Sequence, residues 1–168
     1  YAFNKLKNSD IVYPDFEIWL RPIQDFWFDQ IVFYSDGSGS HINVRSQVAC
    51  QAAWSVTIFY RNSSTNDEIF AGYFCGFTQD EPATGTYVGA EYKSSGSSEL
   101  SAIIWIYLYI LSMNDYSKQL VVYADPMYAI DMSGNYAKFK AHPIMCTIAQ
   151  SFIYIIRLQN NLVIKHVY

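Results

Sequence analysis

Leu120-Val121-Val122-Tyr123-Ala124 is an unbroken apolar run of strand length, and it leads straight into Asp125-Pro126. A strand with one wet face alternates apolar and polar residues. A run without alternation belongs to a strand covered on both sides, typical of a parallel strand in an α/β domain. Asp125 is a good helix N-cap and Pro126 sits at the favoured first helical position, so a helix is predicted to start there. Ile31-Val32-Phe33-Tyr34 is a second short run of this kind. It ends in Ser35-Asp36-Gly37-Ser38-Gly39-Ser40, whose composition predicts a turn.

Between these runs the residue pattern predicts strands over 53–60 and 68–77, joined by the polar loop 61–67, as in an antiparallel meander. The breakers Thr84-Gly85-Thr86 and Ser94 to Ser98 follow, and Glu99 then opens some 15 residues without Gly or Pro. Ser97 or Ser98 is the predicted N-cap, with Glu99 in the first turn, where a carboxylate suits the helix dipole. Helical spacing returns over 143–158, and 162–168 reads as a last strand. The predicted order is β-β-β-α-β-α-α-β. Residues 1–26 carry mixed signals and read as a partly packed lead-in, compatible with the end of an upstream domain. The folded unit is assigned to 27–168.

With 168 residues, 51% of them apolar, the chain can bury the core of one domain. Eleven Lys+Arg against 15 Asp+Glu leave a net charge of −4. That excludes a disordered charged tail and argues against binding nucleic acid through a broad basic surface. The three cysteines (Cys50, Cys75, Cys146) are odd in number and widely spaced, which favours a reducing, intracellular compartment over a disulfide framework or zinc site. The longest apolar run, Ala102 to Leu111, is ten residues, whereas a membrane span needs about 20. It is predicted to be a core helix. The first residue is Tyr1 rather than Met, which suggests an excerpt of a longer protein.

Apolar strands that end in a lone carboxylate are where the chemistry is expected. Asp36 follows one and Asp125 the other. If the two strands are parallel neighbours, their ends lie about 4.8 Å apart. Carboxylates that close repel one another unless a cation sits between them. Ligand sites of open α/β sheets also lie at strand C-termini. Glu99 can add a third oxygen ligand, and all-oxygen sites of this sort suit Mg²⁺ or Mn²⁺, the ions of phosphodiester cleavage. Each acid alone is an ordinary turn former or helix-start residue; their joint order carries the argument. His41, His142 and His166 do not cluster with cysteine at zinc spacing.

Tyr34-Ser35-Asp36-Gly37-Ser38, Ser98-Glu99-Leu100-Ser101-Ala102-Ile103 and Val122-Tyr123-Ala124-Asp125-Pro126-Met127-Tyr128-Ala129 together resemble the ribonuclease H family, in the flavour found in retroelement polyproteins. The resemblance implies a five-stranded mixed sheet of order 3-2-1-4-5 with helices on both faces. It implies Mg²⁺-dependent hydrolysis of the RNA strand of an RNA–DNA hybrid, with Asp36, Glu99 and Asp125 as catalytic and metal-holding acids. Gly37, Ser38 and Ser95 would then approach the substrate, and an upstream reverse-transcriptase-like domain is the implied partner. The family places a His loop and a fourth acid on a further helix after the fifth strand, whereas this sequence stops at Tyr168, so that helix is expected to be missing. His166 falls short of the loop position and reads as a strand residue. A non-catalytic scaffold or interaction domain on the same fold is the alternative from another class, and an integrase, resolvase or exonuclease is the alternative among nucleases.

Overall fold

The computed structural model describes residues 16–22, 26–39, 52–113, 115, 117–124 and 142–166, with only the backbone of His166. Six strands form one sheet: β1 (Phe16–Leu20), β2 (Gln30–Gly39), β3 (Ala52–Asn62), β4 (Asp67–Phe77), β5 (Gln119–Ala124) and β6 (Leu162–His166). Two helices, α1 (Ser95–Ser112) and α2 (Pro143–Arg157), complete the described elements. The spatial order is β1-β4-β3-β2-β5-β6. β2, β3 and β4 form the antiparallel meander, while β5 joins β2 and β6 joins β5 in parallel.

The predicted order 3-2-1-4-5 is present in β4-β3-β2-β5-β6, and the correction is a sixth strand. β1 lies within the predicted lead-in and pairs antiparallel with β4 through Phe16↔Gly76 to Leu20↔Gly72. Its residues alternate: Phe16, Ile18 and Leu20 pack against the core, while Glu17 and Trp19 are exposed.

Side chains of one parity face the helices. Ile31 and Phe33 of β2, Trp54, Val56 and Ile58 of β3, Phe74 of β4, and Leu120 and Val122 of β5 are all buried there. α1 covers this face, crossing β2 and β3, and α2 packs on α1. α1 is apolar almost all round because it lies between the sheet and α2, and Leu100, Ile104, Ile106 and Tyr107 are all fully buried. α2 is amphipathic: Met145, Cys146, Ala149, Ile153 and Ile156 point inward while Tyr154 and Leu158 are exposed. Among the described residues both helices therefore share one core on one face.

Two predicted boundaries are wrong, and both errors lie at the site. Ser35 to Gly39 is not a turn. These residues continue β2, paired with Val56 through Ala52 of β3. Turn-forming residues stay extended here because the ladder and the docked helix fix the backbone against local preference. The helix also starts earlier than predicted, with Ser94 rather than Ser97 or Ser98 as N-cap. Ser94 Oγ accepts the Ser97 N–H at 3.0 Å and Ser97 Oγ accepts the Ser94 N–H at 2.8 Å, a reciprocal capping box. Glu99 is thus the fifth helical residue, and the first turn holds no acid.

Candidate active site at the end of the second strand

At the end of β2 the helix-facing positions are Gly37 and Gly39. A Cβ built on Gly37 would lie 2.7 Å from Glu99 Cα and against the Glu99 amide; one on Gly39 would lie 2.7 Å from the Ser94 carbonyl carbon. Neither contact is tolerable, so two absent side chains let the start of α1 lie directly on the strand backbone. Ser98 Oγ donates to the Ser38 carbonyl at 2.9 Å and fixes the docking. The consequence is that Glu99 is brought to the residue next to Asp36.

Asp36 itself lies on the sheet face away from α1 and is exposed. The parallel pairing of β2 with β5 runs through Tyr34↔Tyr123, with Ser35 Oγ donating to the Tyr123 carbonyl at 3.2 Å. Past that point no described strand pairs with β2 on this side. Asp36 stays paired with Ser55 of β3, and the predicted parallel adjacency of β2 and β5 is present. Asp125 follows Ala124, the last described residue of β5, and lies outside the described residues, as does the helix predicted to start there. The structure thus docks the Glu99 backbone against Gly37, the residue next to Asp36, whose own side chain lies on the other face of the sheet. Among the described residues no group of three or more His, Cys, Asp or Glu gathers as a metal cluster.

Ser38 is exposed on the Asp36 face. Ser95 is exposed at the start of α1, and its hydroxyl donates to Glu99 Oε1 at 3.3 Å. Gly37 has a structural reason to be glycine, namely the approach of α1. Beside Asp36 runs a groove of about 360 Å³ lined by Glu17, Ser38, Ser55, Cys75 and Phe77 among others. Glu17 comes from β1, a groove residue that sequence reasoning left in the lead-in; the alternation of 16–20 was the available signal. Tyr73 donates its hydroxyl to Glu17 Oε1, and that hydrogen bond raises the tyrosine pKa. Burial, then the charge of Glu17, pushes the Cys75 thiol up as well. A thiol held protonated is a poor soft ligand and a poor nucleophile. The usable chemistry at this edge is that of carboxylate and hydroxyl oxygens, a donor set that fits Mg²⁺ or Mn²⁺.

Solved structures match this fold. One is LC9-RNase H1, described as a type 1 RNase H with the type 2 active-site motif; it is 14% identical with a TM-score of 0.53, over 86% of this chain. A second is RNase H1 from the halophilic archaeon Halobacterium salinarum NRC-1, 11% identical with a TM-score of 0.50, over 82% of this chain and 85% of that one. The fold is RNase H-like. The present chain spans 65% of the length of LC9-RNase H1. No protein-family model matches this chain, and no curated protein matches it significantly. At these identities the RNase H-like likeness concerns backbone topology, and roles for individual residues must come from the site itself.

The residues farthest from sequence reasoning are Glu91 and His142. His142, which opens α2, is 2% exposed and places its imidazole between Glu91 and Ser94. Nothing in the local sequence marks this association, because its partners are 51 and 48 residues away.

Proposed function

We propose that the chain is a metal-dependent nuclease of the RNase H type, hydrolysing the RNA strand of an RNA–DNA hybrid. The observation that carries this reading is the seating of α1 on Gly37 and Gly39, which sets the Glu99 backbone against the neighbour of Asp36. Core packing alone gives no reason for a helix residue with a carboxylate to seat beside a strand residue with another. Asp36 and Glu99, with Asp125, are the residues that would hold Mg²⁺ or Mn²⁺. Bound there, such an ion supplies an activated water and neutralises charge on the phosphate. The exposed carboxylate of Asp36 is reachable by a backbone phosphate. The exposed hydroxyls of Ser38, on the same strand face, and of Ser95, at the start of α1, can donate to phosphate or sugar oxygens. Gly37 enters through the space it leaves for the helix. In this reading the sheet, β1 included, and its helices are the nuclease unit of a retroelement polyprotein, working beside a reverse-transcriptase-like domain.

The scaffold reading draws on one observation: Ile144, Tyr154, Ile155 and Leu158 of α2 and its C-cap are exposed apolar residues. The two readings part in one assay. Labelled RNA–DNA hybrid is incubated with the wild type and with Asp36→Asn and Glu99→Gln, with Mg²⁺ and with EDTA. The nuclease reading expects Mg²⁺-dependent RNA cleavage, reduced at least about a hundredfold by either substitution, or ~2.7 kcal/mol of transition-state stabilisation. A folded wild type that leaves the hybrid intact under both Mg²⁺ and Mn²⁺ supports the scaffold.

A further inference from the structure

His142 has a left-handed backbone, φ 54°, immediately before Pro143. Its Nδ1 lies 3.3 Å from Glu91 Oε2 and its Nε2 2.9 Å from Ser94 Oγ. A carboxylate only accepts, so Nδ1 donates to Glu91, and Nε2 hydrogen-bonds the Ser94 hydroxyl. The other oxygen of Glu91 accepts the Ile144 N–H at 3.0 Å, supplying the cap that His142 does not give α2. The ring of Tyr92 packs on the imidazole at 4.2 Å.

This has the serine–histidine–acid order of a hydrolytic relay, yet it does not fit one. Ser94 Oγ already accepts the Ser97 N–H as the α1 cap, and at 2% exposure the imidazole is beyond the reach of substrate. What the three residues do is tie the start of α2 to the start of α1. From Ser94 the connection continues to the sheet. The Ser98 hydroxyl, within 2.7 Å of the Ser94 carbonyl and 2.9 Å of the Ser38 carbonyl two residues beyond Asp36, shares its one proton between them.

We propose that His142 is a positioning residue for the Asp36–Glu99 site, holding the first turn of α1 on the end of β2 through Ser94. The role of that site rests on the nuclease reading above; the tie itself does not. Carboxylates that must share an ion and a phosphate tolerate little displacement, and a misplacement of about 1 Å can cost a hundredfold in rate. The clamp acts on placement, so its loss should be read in turnover and ion affinity more than in substrate binding.

The test uses His142→Asn in the full chain. Asparagine tolerates the left-handed backbone, and its shorter amide can reach Glu91 but not Ser94. His142→Gln is the second variant, since its longer side chain can still reach Ser94. Amide hydrogen exchange is followed at Ser97, Ser98 and Glu99, together with Mn²⁺ binding and hybrid cleavage. For His142→Asn the expected outcome is about tenfold faster exchange at these three amides, with the centre of α1 unchanged. Weaker Mn²⁺ binding and a kcat lowered about tenfold at nearly constant KM should accompany it. The Gln variant should recover much of each. A folded His142→Asn chain with wild-type exchange at 97–99 and wild-type Mn²⁺ affinity overturns the proposal, as does a loss confined to KM. If the wild type cleaves nothing, the nuclease reading fails and the exchange and Mn²⁺ results decide the clamp.

Discussion

Toward α1 and α2, strand β2 presents Ile31 and Phe33 and then the two glycines, Gly37 and Gly39; away from them it presents Val32, Tyr34, Asp36 and Ser38. On the helix face the strand first fills space and then vacates it. Phe33 is fully buried with Tyr109 edge-on at 5.9 Å, whereas at Gly37 the helix backbone occupies the place of a side chain. On the other face the centre is apolar and flanked by aromatics. Val32 and Val121 are buried, Tyr34 stacks on Tyr123 at 4.8 Å, and Trp19 stacks on Phe70 at 5.7 Å. Toward the end of the strand that face turns polar. The difference teaches that one strand does two jobs in sequence: its first half holds the sheet to the helix, and its second half lets the helix backbone lie directly on it.

The sharpest break of this comparison is a pair of truncations one residue apart. Phe33→Ala should cost about 3–5 kcal/mol in urea unfolding, because it opens a cavity in a dry core. Tyr34→Ala, on the opposite face, should cost about 1 kcal/mol, the value of a cross-strand stacked pair and partial burial. Equal losses would show that the two faces are packed alike.

A second pair probes the vacated half. Gly37→Ala should cost about 1–3 kcal/mol, because its methyl would drive α1 away from β2. Hybrid cleavage should fall with it, since Glu99 moves along with the helix. Ser38→Ala, exposed on the other face, should stay within about 0.5 kcal/mol of the wild type. A neutral Gly37→Ala would contradict the close approach of α1.

The smallest expected effect lies away from the site and is read by pH. The Ser63 hydroxyl and N–H both donate to Asp29, and these bonds hold its carboxyl below the usual carboxylate range. A depressed folded pKa means that the stabilisation is complete above the ordinary value near 3.8 and lost as pH falls through the lower folded value. Asp29→Asn should therefore narrow its difference from the wild type in acid melts below pH 4. A difference independent of pH would remove the ionised carboxylate from the account.

What the sequence shows well follows from packing. β3, β5 and α2 are legible because their apolar residues recur at the period of a buried strand or an amphipathic helix. β2 is legible only as far as Tyr34. Beyond it, Ser35 to Gly39 has the composition of a turn, and only the pairing with Ala52–Val56 and the seating of α1 keep it extended. The serine-rich stretch 94–98 likewise reads as a breaker, yet it contains the capping box that opens α1. Of the predicted site, Asp36 and Glu99 are legible as candidate acids, yet Asp36 lies within β2 and Glu99 is the fifth residue of α1, and the close approach of α1 at Gly37 needed three dimensions. The link from His142 to Ser94 and Glu91 was out of reach of any local pattern, because its partners come from a distant stretch of chain.

The account's central claim is that docking α1 on the glycine end of β2 makes one cation site from Asp36 and Glu99. Crystals soaked in Mn²⁺ and measured at the manganese absorption edge test it most directly. The predicted result is an anomalous peak in contact with both carboxylates, absent from Asp36→Asn crystals grown and soaked identically. Density that touches neither acid, or that lies only beside Glu17 across the groove, would contradict it.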